Sequence, residues 1–374
     1  MPISFKNILP ADFREGTFAG RAESAAGPHV IAIRKGELFD LTDEVATMAG
    51  AVARRAFSGG RHIGPAEDGL PEGWNLISPV DLHCIKASGV TFALSAIERV
   101  IEERARGDAA KAAEIREMLE DRVGSGIRSV VPGSEEAMAL KQALIDQDMW
   151  SQYLEVAIGP DAEIFSKSPV LSTVGHGALI GVRSDSSWNN PEPEIVLVVD
   201  AHGDVVGATL GNDVNLRDFE GRSALLLSKA KDNTASCAIG PFIRLFDDRF
   251  TIDDVRRANV DLLIEGMDGY RLEGTNRMSE ISRDPLDLVA QTLSEHHYPD
   301  GFVLFCGTLF APTQDRDTPG GGFTHKPGDR VTISSQRLGS LSNIVTTSRD
   351  APPWTMGIAA LMRNLAARGL IEKL

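Results

Sequence analysis

Apolar residues follow two rhythms along this chain. Between about residues 90 and 157 they recur at helical spacing; from residue 160 onward they come in short runs broken by Gly, Pro, Asn and Asp. Val90, Leu94, Ile97 and Ile101 lie three or four apart, with charges filling the other face in ERVIEERARGD. That spacing predicts an amphipathic helix, interrupted or ended at Gly107-Asp108. A second helix is expected over AAKAAEIREMLEDRV. A third is expected over PGSEEAMALKQALIDQDMWSQYLEVA, with Ser134 as N-cap and Glu135 and Glu136 in the first turn. The later runs EIVLVVDAHGDVVGATLG, GFVLFCGTLF and DRVTISSQRLGSLSNIV read as strands. Residues 1–72 mix short apolar runs with Gly-rich turns, which predicts a small β-containing N-terminal domain ahead of a larger one over 73–374. The fold class expected is α+β: a mainly antiparallel or mixed β domain decorated by helices, not a doubly wound βαβ series.

The strand EIVLVVD is preceded by two carboxylates, Glu192 and Glu194, spaced two apart. Residues i and i+2 share one face of a strand, so their charges repel unless something positive lies between them. Solvent counter-ions or a metal ion could fill that role. The run continues into a turn near His202-Gly203, where Gly supplies the positive φ that a tight hairpin needs. A turn there pairs residues whose numbers sum to about 405. Glu192 then faces Asp213 and Glu194 faces Gly211, which has no side chain to block the gap. Three carboxylates converge at one end of one hairpin. Such an all-oxygen set suits a hard cation, Mg²⁺ first, with Mn²⁺ or Ca²⁺ able to substitute.

Charge and cysteine usage narrow the rest. The 374 residues carry a formal net charge of −15, which argues against nucleic acid or an anionic membrane surface as partner. No run approaches the roughly 20 apolar residues of a membrane span, and MPISFKNILPADFREG lacks the apolar core and cleavage site of a secretory signal. Cys84, Cys237 and Cys306 are odd in number and far apart, so no disulfide framework is expected. A cytoplasmic location follows as the expectation. TPGGGFTH is Gly-rich but does not open a helix after a strand, and reads as a flexible loop or lid.

PEPEIVLVVDAHGDVVGATLGNDVNLRD resembles the metal-binding core of the fumarylacetoacetate hydrolase superfamily, in which an E-x-E strand precedes G-(Y/A)-T-x-x-N-D-V-(S/T/N)-x-R-D. KAKDNTASCAIGPFI resembles its K-x-x-D-x-x-x-P-L-G-P segment, AEIFSKSP its P-x-x-F-x-K strand, FCGTLF its T-G-T-P strand, and HKPGDRVTISSQRLGSLSNIV its ending. The motifs come in family order over roughly residues 75–350. The resemblance implies a fumarylacetoacetate-hydrolase-like catalytic domain with Glu192, Glu194 and Asp213 as metal ligands, Lys231 beside the metal, and Thr308, with Ser88 and Thr91, toward the substrate. It also implies a homodimer or homotetramer. Hydrolases of the superfamily carry G-x-N-Y-x-x-H-A before the long helix, whose His helps to activate water. Here the stretch is GVTFALSA, with Thr91, Phe92 and Ser95 at the Asn, Tyr and His positions. Serine is no free general base at neutral pH. The sequence looks most like the branch of 2-keto-3-deoxy-D-pentonate (xylonate or arabinonate) dehydratases, which keep the triad and the lysine and need no activated water.

That likeness implies a lyase acting on a small 2-keto acid. Lys231 and Glu163 are the expected catalytic pair, since a glutamate near the position of Glu163 pairs with the lysine in the related dehydratases. The alternatives are a hydrolase cleaving the C–C bond of a 2,4-diketo acid on the same scaffold, and a keto-acid binding protein without turnover. Other polar residues read more plainly. His176 is expected in a loop without a fixed partner, His296 and His297 point apart, Asp315, Arg316 and Asp317 belong to a solvated loop, and Arg217 pairs with Asp218.

Overall fold

The computed structural model describes residues 5–112, 115, 130–146, 148–309, 312, 314–318 and 322–374. Two sheets dominate it. Among the described residues the larger has eleven strands, and from its middle to one edge it runs Cys237–Leu245, Val205–Asp213, Pro193–Val199, Phe302–Phe305, Cys84–Gly89, Glu163–Ser168. The smaller has five, in the order Arg271–Arg277, Asn259–Glu265, Arg330–Ser335, Gly339–Thr347, Leu179–Val182. Pairing is antiparallel except where Phe302–Phe305 meets Cys84–Gly89 and Gly339–Thr347 meets Leu179–Val182. The mixed, mainly antiparallel β architecture with helices is therefore present. The N-terminal strands join the larger sheet, because Thr17–Ser24 pairs with Cys237–Leu245 through Phe18 opposite Arg244. Arg244 is fully buried there and grips Asp12 at 2.9 and 2.8 Å.

Alternation along Pro193–Val199 explains how this strand sits inside the protein. Ile195, Leu197 and Val199 enter a core shared with Val260, Leu262, Ile264, Val331 and Ile333 of the smaller sheet. Val196 and Val198 face the other way, into a core with Val30, Val52, Ile239 and Phe305. Both faces are apolar and covered, so the strand reads as a continuous apolar run.

The helix Ala93–Ala105 ends at Arg106, in left-handed backbone, and Gly107. Val90 precedes it, itself at φ 55°, so the helix starts three residues after the apolar spacing suggests. The run AAKAAEIREMLEDRV lies mostly outside the described residues. The third expected helix is two, Glu135–Asp146 and Gln152–Ile158. Asp148 at φ 55° breaks the run, and Ser151 begins a new N-cap by accepting from Tyr153 N at 3.2 Å. Ser134 caps the first piece, its Oγ accepting from Ala137 N at 3.1 Å.

Candidate active site and metal centre

The hairpin Pro193–Val199/Val205–Asp213 turns at Asp200–Asp204. Asp200 Oδ1 accepts from His202 N and Asp204 N, and Gly203 takes φ 89°. Glu194 lies opposite Gly211 and Pro193 opposite Asn212. Asp213 N donates to Glu192 O at 3.1 Å, which puts those two residues across from each other. The expected register holds. The reason for Gly211 differs from the expected one. A Cβ there would come within 2.3 Å of the Phe305 ring and 2.6 Å of Val196, so the glycine makes room for packing rather than for an ion.

Glu192, Glu194 and Asp213 each offer an oxygen within 4.8 Å of the others, and all three residues are buried. Lys231, buried at the end of the short helix Leu227–Lys231, reaches Glu192 Oε2 at 2.5 Å and Asp213 Oδ2 at 3.2 Å. Three residues outside the hairpin hold three of the four remaining oxygens, leaving Glu194 Oε1. Arg99 Nη2 donates to Glu192 Oε1 at 3.0 Å, Gly307 N donates to Glu194 Oε2 at 2.6 Å, and Lys167 Nζ lies 2.7 Å from Asp213 Oδ1. Arg99 also meets Glu102 at 2.7 Å and Glu220 at 2.5 Å. Behind it, Arg217 holds Glu102 at 2.6 Å, Glu98 at 2.9 Å and the Pro312 carbonyl at 3.1 Å.

The electrostatics follow from this crowding. Burial pushes Glu194 well above the usual carboxylate range, and Asp213 and Glu192 push it further. Burial would also raise Asp213, but Lys167 and Lys231 outweigh it and hold the carboxyl low. Burial lowers Lys231, and Asp213, Glu192 and Glu220 more than reverse that. Burial carries Glu220 up to about 7 against the pull of Arg99 and Lys231. Burial likewise raises Glu163 against Arg99 and Lys231.

Four carboxylates line the cavity, Glu192, Glu194, Asp213 and Glu220, against the cations Arg99 and Lys231. The wall's carboxylates outnumber its cations by two, and Lys167, which pairs with Asp213 from behind the wall, reduces that deficit to one. Glu194 has no ion-pair partner among the described residues, and a buried carboxylate in that position calls for a cation or a proton. The donor set is all oxygen. A divalent hard cation therefore fits the residues present. The cavity measures about 20 Å³, room for an ion or a water molecule. A larger cleft of about 500 Å³, lined by Arg183, Asp232, Thr234 and Trp354 among others, holds none of these carboxylates.

Ser88, Gly89, Val90, Ser95, Phe165, Gly307 and Thr308 complete the lining. The buried Ser88 hydroxyl has no hydrogen-bond partner among the described residues, so a ligand polar group would satisfy it. Thr91 stands apart from this wall, and its hydroxyl donates to the Cys306 carbonyl at 2.7 Å. Ser95 serves the helix start, its Oγ donating to Phe92 O at 2.7 Å. Glu163 pairs across from Gly89, where any Cβ would strike its carboxylate.

Several plainer readings change. Arg217 does not pair with Asp218, which instead accepts from Ser186 and Ser187. Arg316 is not solvated; its side chain is 1% exposed and grips Asp329 at 2.5 and 2.7 Å. His176 has a fixed setting, with Nδ1 3.0 Å from the Ser340 carbonyl, and does not line the cavity. His296 stacks on Tyr298, and among the described residues the triad is the one cluster of metal-ligating geometry. Arg99 and Glu220 have no role in the sequence reading, and Lys167 enters it only as the lysine of the F-x-K strand motif.

Comparison with known proteins fits this geometry. A family model described as "Fumarylacetoacetate (FAA) hydrolase C-terminal" matches residues 152–346, just over half of the chain. The chain belongs to the fumarylacetoacetate hydrolase family. Within it, the chain is 33% identical over 202 residues to the Haloferax volcanii protein named "Probable 2-keto-3-deoxyxylonate dehydratase", covering 54% of this chain and 66% of that protein. It is 32% identical over 187 residues to the 2-dehydro-3-deoxy-D-arabinonate dehydratase of Saccharolobus solfataricus, covering 50% and 59%. The matches thus span less than two thirds of these relatives' own lengths. The fumarylacetoacetate-hydrolase-like fold also superposes on a solved 2-keto-3-deoxy-D-arabinonate dehydratase complexed with magnesium and 2,5-dioxopentanoate. The TM-score is 0.63 at 22% identity, over 88% of this chain and 98% of the other. At that identity the likeness concerns the fold. No helix among the described residues is long and apolar enough to cross a membrane.

Proposed function

We propose that this chain is a metal-dependent hydro-lyase that converts a 2-keto-3-deoxy-pentonate to 2,5-dioxopentanoate, with Mg²⁺ as the resident ion. The observation that carries the reading is the cavity wall. It joins a three-carboxylate seat to a buried lysine, and none of its described residues is a histidine. The names of the two curated relatives and the product in the solved structure point the same way. A hydrolase on this scaffold would need a base for water, and Ser95 spends its hydroxyl on Phe92 O.

Glu192, Glu194 and Asp213 would hold the ion. Bound there, it supplies Lewis-acid stabilisation of negative charge developing on the keto oxygen. The chain's own residues do the rest. The orphan Ser88 hydroxyl and Thr308 hydrogen-bond the keto acid at the rim. Lys231 Nζ and the Glu163 carboxyl divide the two proton transfers, one removing the C3 proton and the other protonating the C4 hydroxyl as it leaves as water. The elimination leaves a C3=C4 double bond beside the keto group; moving a proton from C5 to C3 gives the C4=C5 enol, whose tautomerisation gives the aldehyde. Gln291 Oε1 accepts from Ala162 N at 2.7 Å and steadies the backbone just before Glu163.

The test is turnover of 2-keto-3-deoxy-D-pentonate by metal-loaded protein, coupled to an aldehyde dehydrogenase that oxidises 2,5-dioxopentanoate. Activity abolished by EDTA, by Glu192→Gln and by Lys231→Met is the expected result. Cleavage of a 2,4-diketo acid by protein inert toward the pentonate would overturn it in favour of the hydrolase.

A further inference from the structure

The three carboxylates of the seat share an arrangement that their sequence does not announce. Each has one oxygen engaged from elsewhere in the fold: Glu192 Oε1 by a hydrogen bond from Arg99 at 3.0 Å, Glu194 Oε2 by one from Gly307 N at 2.6 Å, and Asp213 Oδ1 by an ion pair with Lys167 at 2.7 Å. Glu192 Oε2, Glu194 Oε1 and Asp213 Oδ2 are the oxygens left over. Lys231 already bridges two of these, so a positive charge is at home beside them.

A fixed donor on one carboxylate oxygen disfavours a metal binding through both oxygens at once, and a metal taking the other oxygen of Glu192 would displace the contact that Lys231 makes there. Three one-oxygen ligands suit an ion that demands near-octahedral coordination and keeps water or substrate in its other positions, as Mg²⁺ does. Ca²⁺ is larger, takes six to eight oxygens and readily accepts a carboxylate through both. We propose that Arg99 is a positioning residue for metal selectivity: by occupying Glu192 Oε1 it disfavours a two-oxygen glutamate and biases the seat toward Mg²⁺ over Ca²⁺. This rests on the metal-dependent reading above.

Arg99 is the clamp best built for the task. Its guanidinium is fixed on the far side by Glu102 at 2.7 Å and Glu220 at 2.5 Å, and Glu102 is fixed in turn by Arg217. A planar fork with several donors can hold one oxygen of Glu192 in place while its other donors are engaged. Partners that orient ligands in this way commonly change metal affinity by about 10- to 100-fold when removed.

Isothermal titration of metal-free protein with Mg²⁺ and with Ca²⁺ tests the proposal without reference to turnover. In Arg99→Met the ratio of Mg²⁺ to Ca²⁺ affinity should fall about tenfold or more, and Arg99→Lys should recover part of it. Loss of one positive charge affects both ions alike and cancels in the ratio. Where Arg99→Met fails to fold, the double variant with Glu220→Gln keeps the test available, since Glu102 retains Arg217 and Glu192 retains Lys231. Equal changes in both affinities, leaving the ratio where it was, would overturn the role of Arg99. Parent protein that binds neither ion would instead overturn the metal seat itself, and the inference with it.

Discussion

Replacing Lys167 by Met is the sharpest probe of how the centre is held together. The Lys167 side chain is fully buried. Its ammonium lies 2.7 Å from Asp213 Oδ1, donates to the Val214 carbonyl at 3.2 Å and also to the Lys231 carbonyl. Met fills a similar volume, so the loss is one of charge and donors, not of packing. Removing one partner of a buried ion pair costs about 3–5 kcal/mol, because the other charge is stranded. Asp213 keeps Lys231 at 3.2 Å, which places the metal-free loss toward the lower end. Ser236 Oγ still donates to the Lys231 carbonyl, so Val214 O is the carbonyl left wanting. For a chain of 374 residues such a loss lowers the thermal midpoint by roughly 4–6 °C. The assay is thermal unfolding followed by circular dichroism, in EDTA and at saturating Mg²⁺. A bound cation would compensate the Asp213 charge, so the deficit should shrink with metal present. A metal-free loss under about 1 kcal/mol, the range of an exposed pair, would refute the claim that Lys167 holds this carboxylate.

Three further outcomes are expected. Burial, with Asp213 and Glu192, raises Glu194 above its ordinary value of 4.5. The metal-free native state therefore keeps a proton that the unfolded chain releases as pH passes that value, and stability falls as pH rises beyond it. Glu194→Gln should flatten that dependence in urea titrations run across pH without metal, and a slope equal to the parent's would contradict the assignment. The same variant should bind Mg²⁺ at least about tenfold more weakly by calorimetry, in keeping with the loss of one of three charged ligands. Ser95→Ala should cost about 1 kcal/mol through the lost helix cap yet leave kcat within about twofold, because the hydroxyl is spent on the backbone; a collapse of kcat in a folded variant would return Ser95 to the chemistry.

Much of the centre is legible because strand period and turn position act locally. His202-Gly203 sets the register, and the register alone brings Glu192, Glu194 and Asp213 together. Motif order adds Lys231 and Thr308, and both line the cavity. The residues that stay hidden depend on distant pairing. Arg99 meets Glu192 across 93 residues of chain, in a helix whose charges read as a solvated face. Lys167 points inward from a strand whose burial depends on the packing of the short helix ending at Lys231. Thr91 shows the converse: beside Ser88 in sequence, it is turned away by a bond to Cys306. The split of the third helix is likewise invisible to apolar spacing, because a single left-handed residue, Asp148, interrupts the helix without disturbing the pattern.

The hairpin that carries the three carboxylates lies inside the larger sheet, with a paired strand on each side and packed residues on both faces. Thr308 and the described residues between it and the strand Arg330–Ser335 lie outside any strand. The two parts are therefore under different constraints over evolutionary time. A change in the interior strands disturbs two cores at once, whereas a change in the loop alters only what the rim can grasp. Descendants of such a chain can drift from one ligand to another while the carboxylate triad is inherited intact.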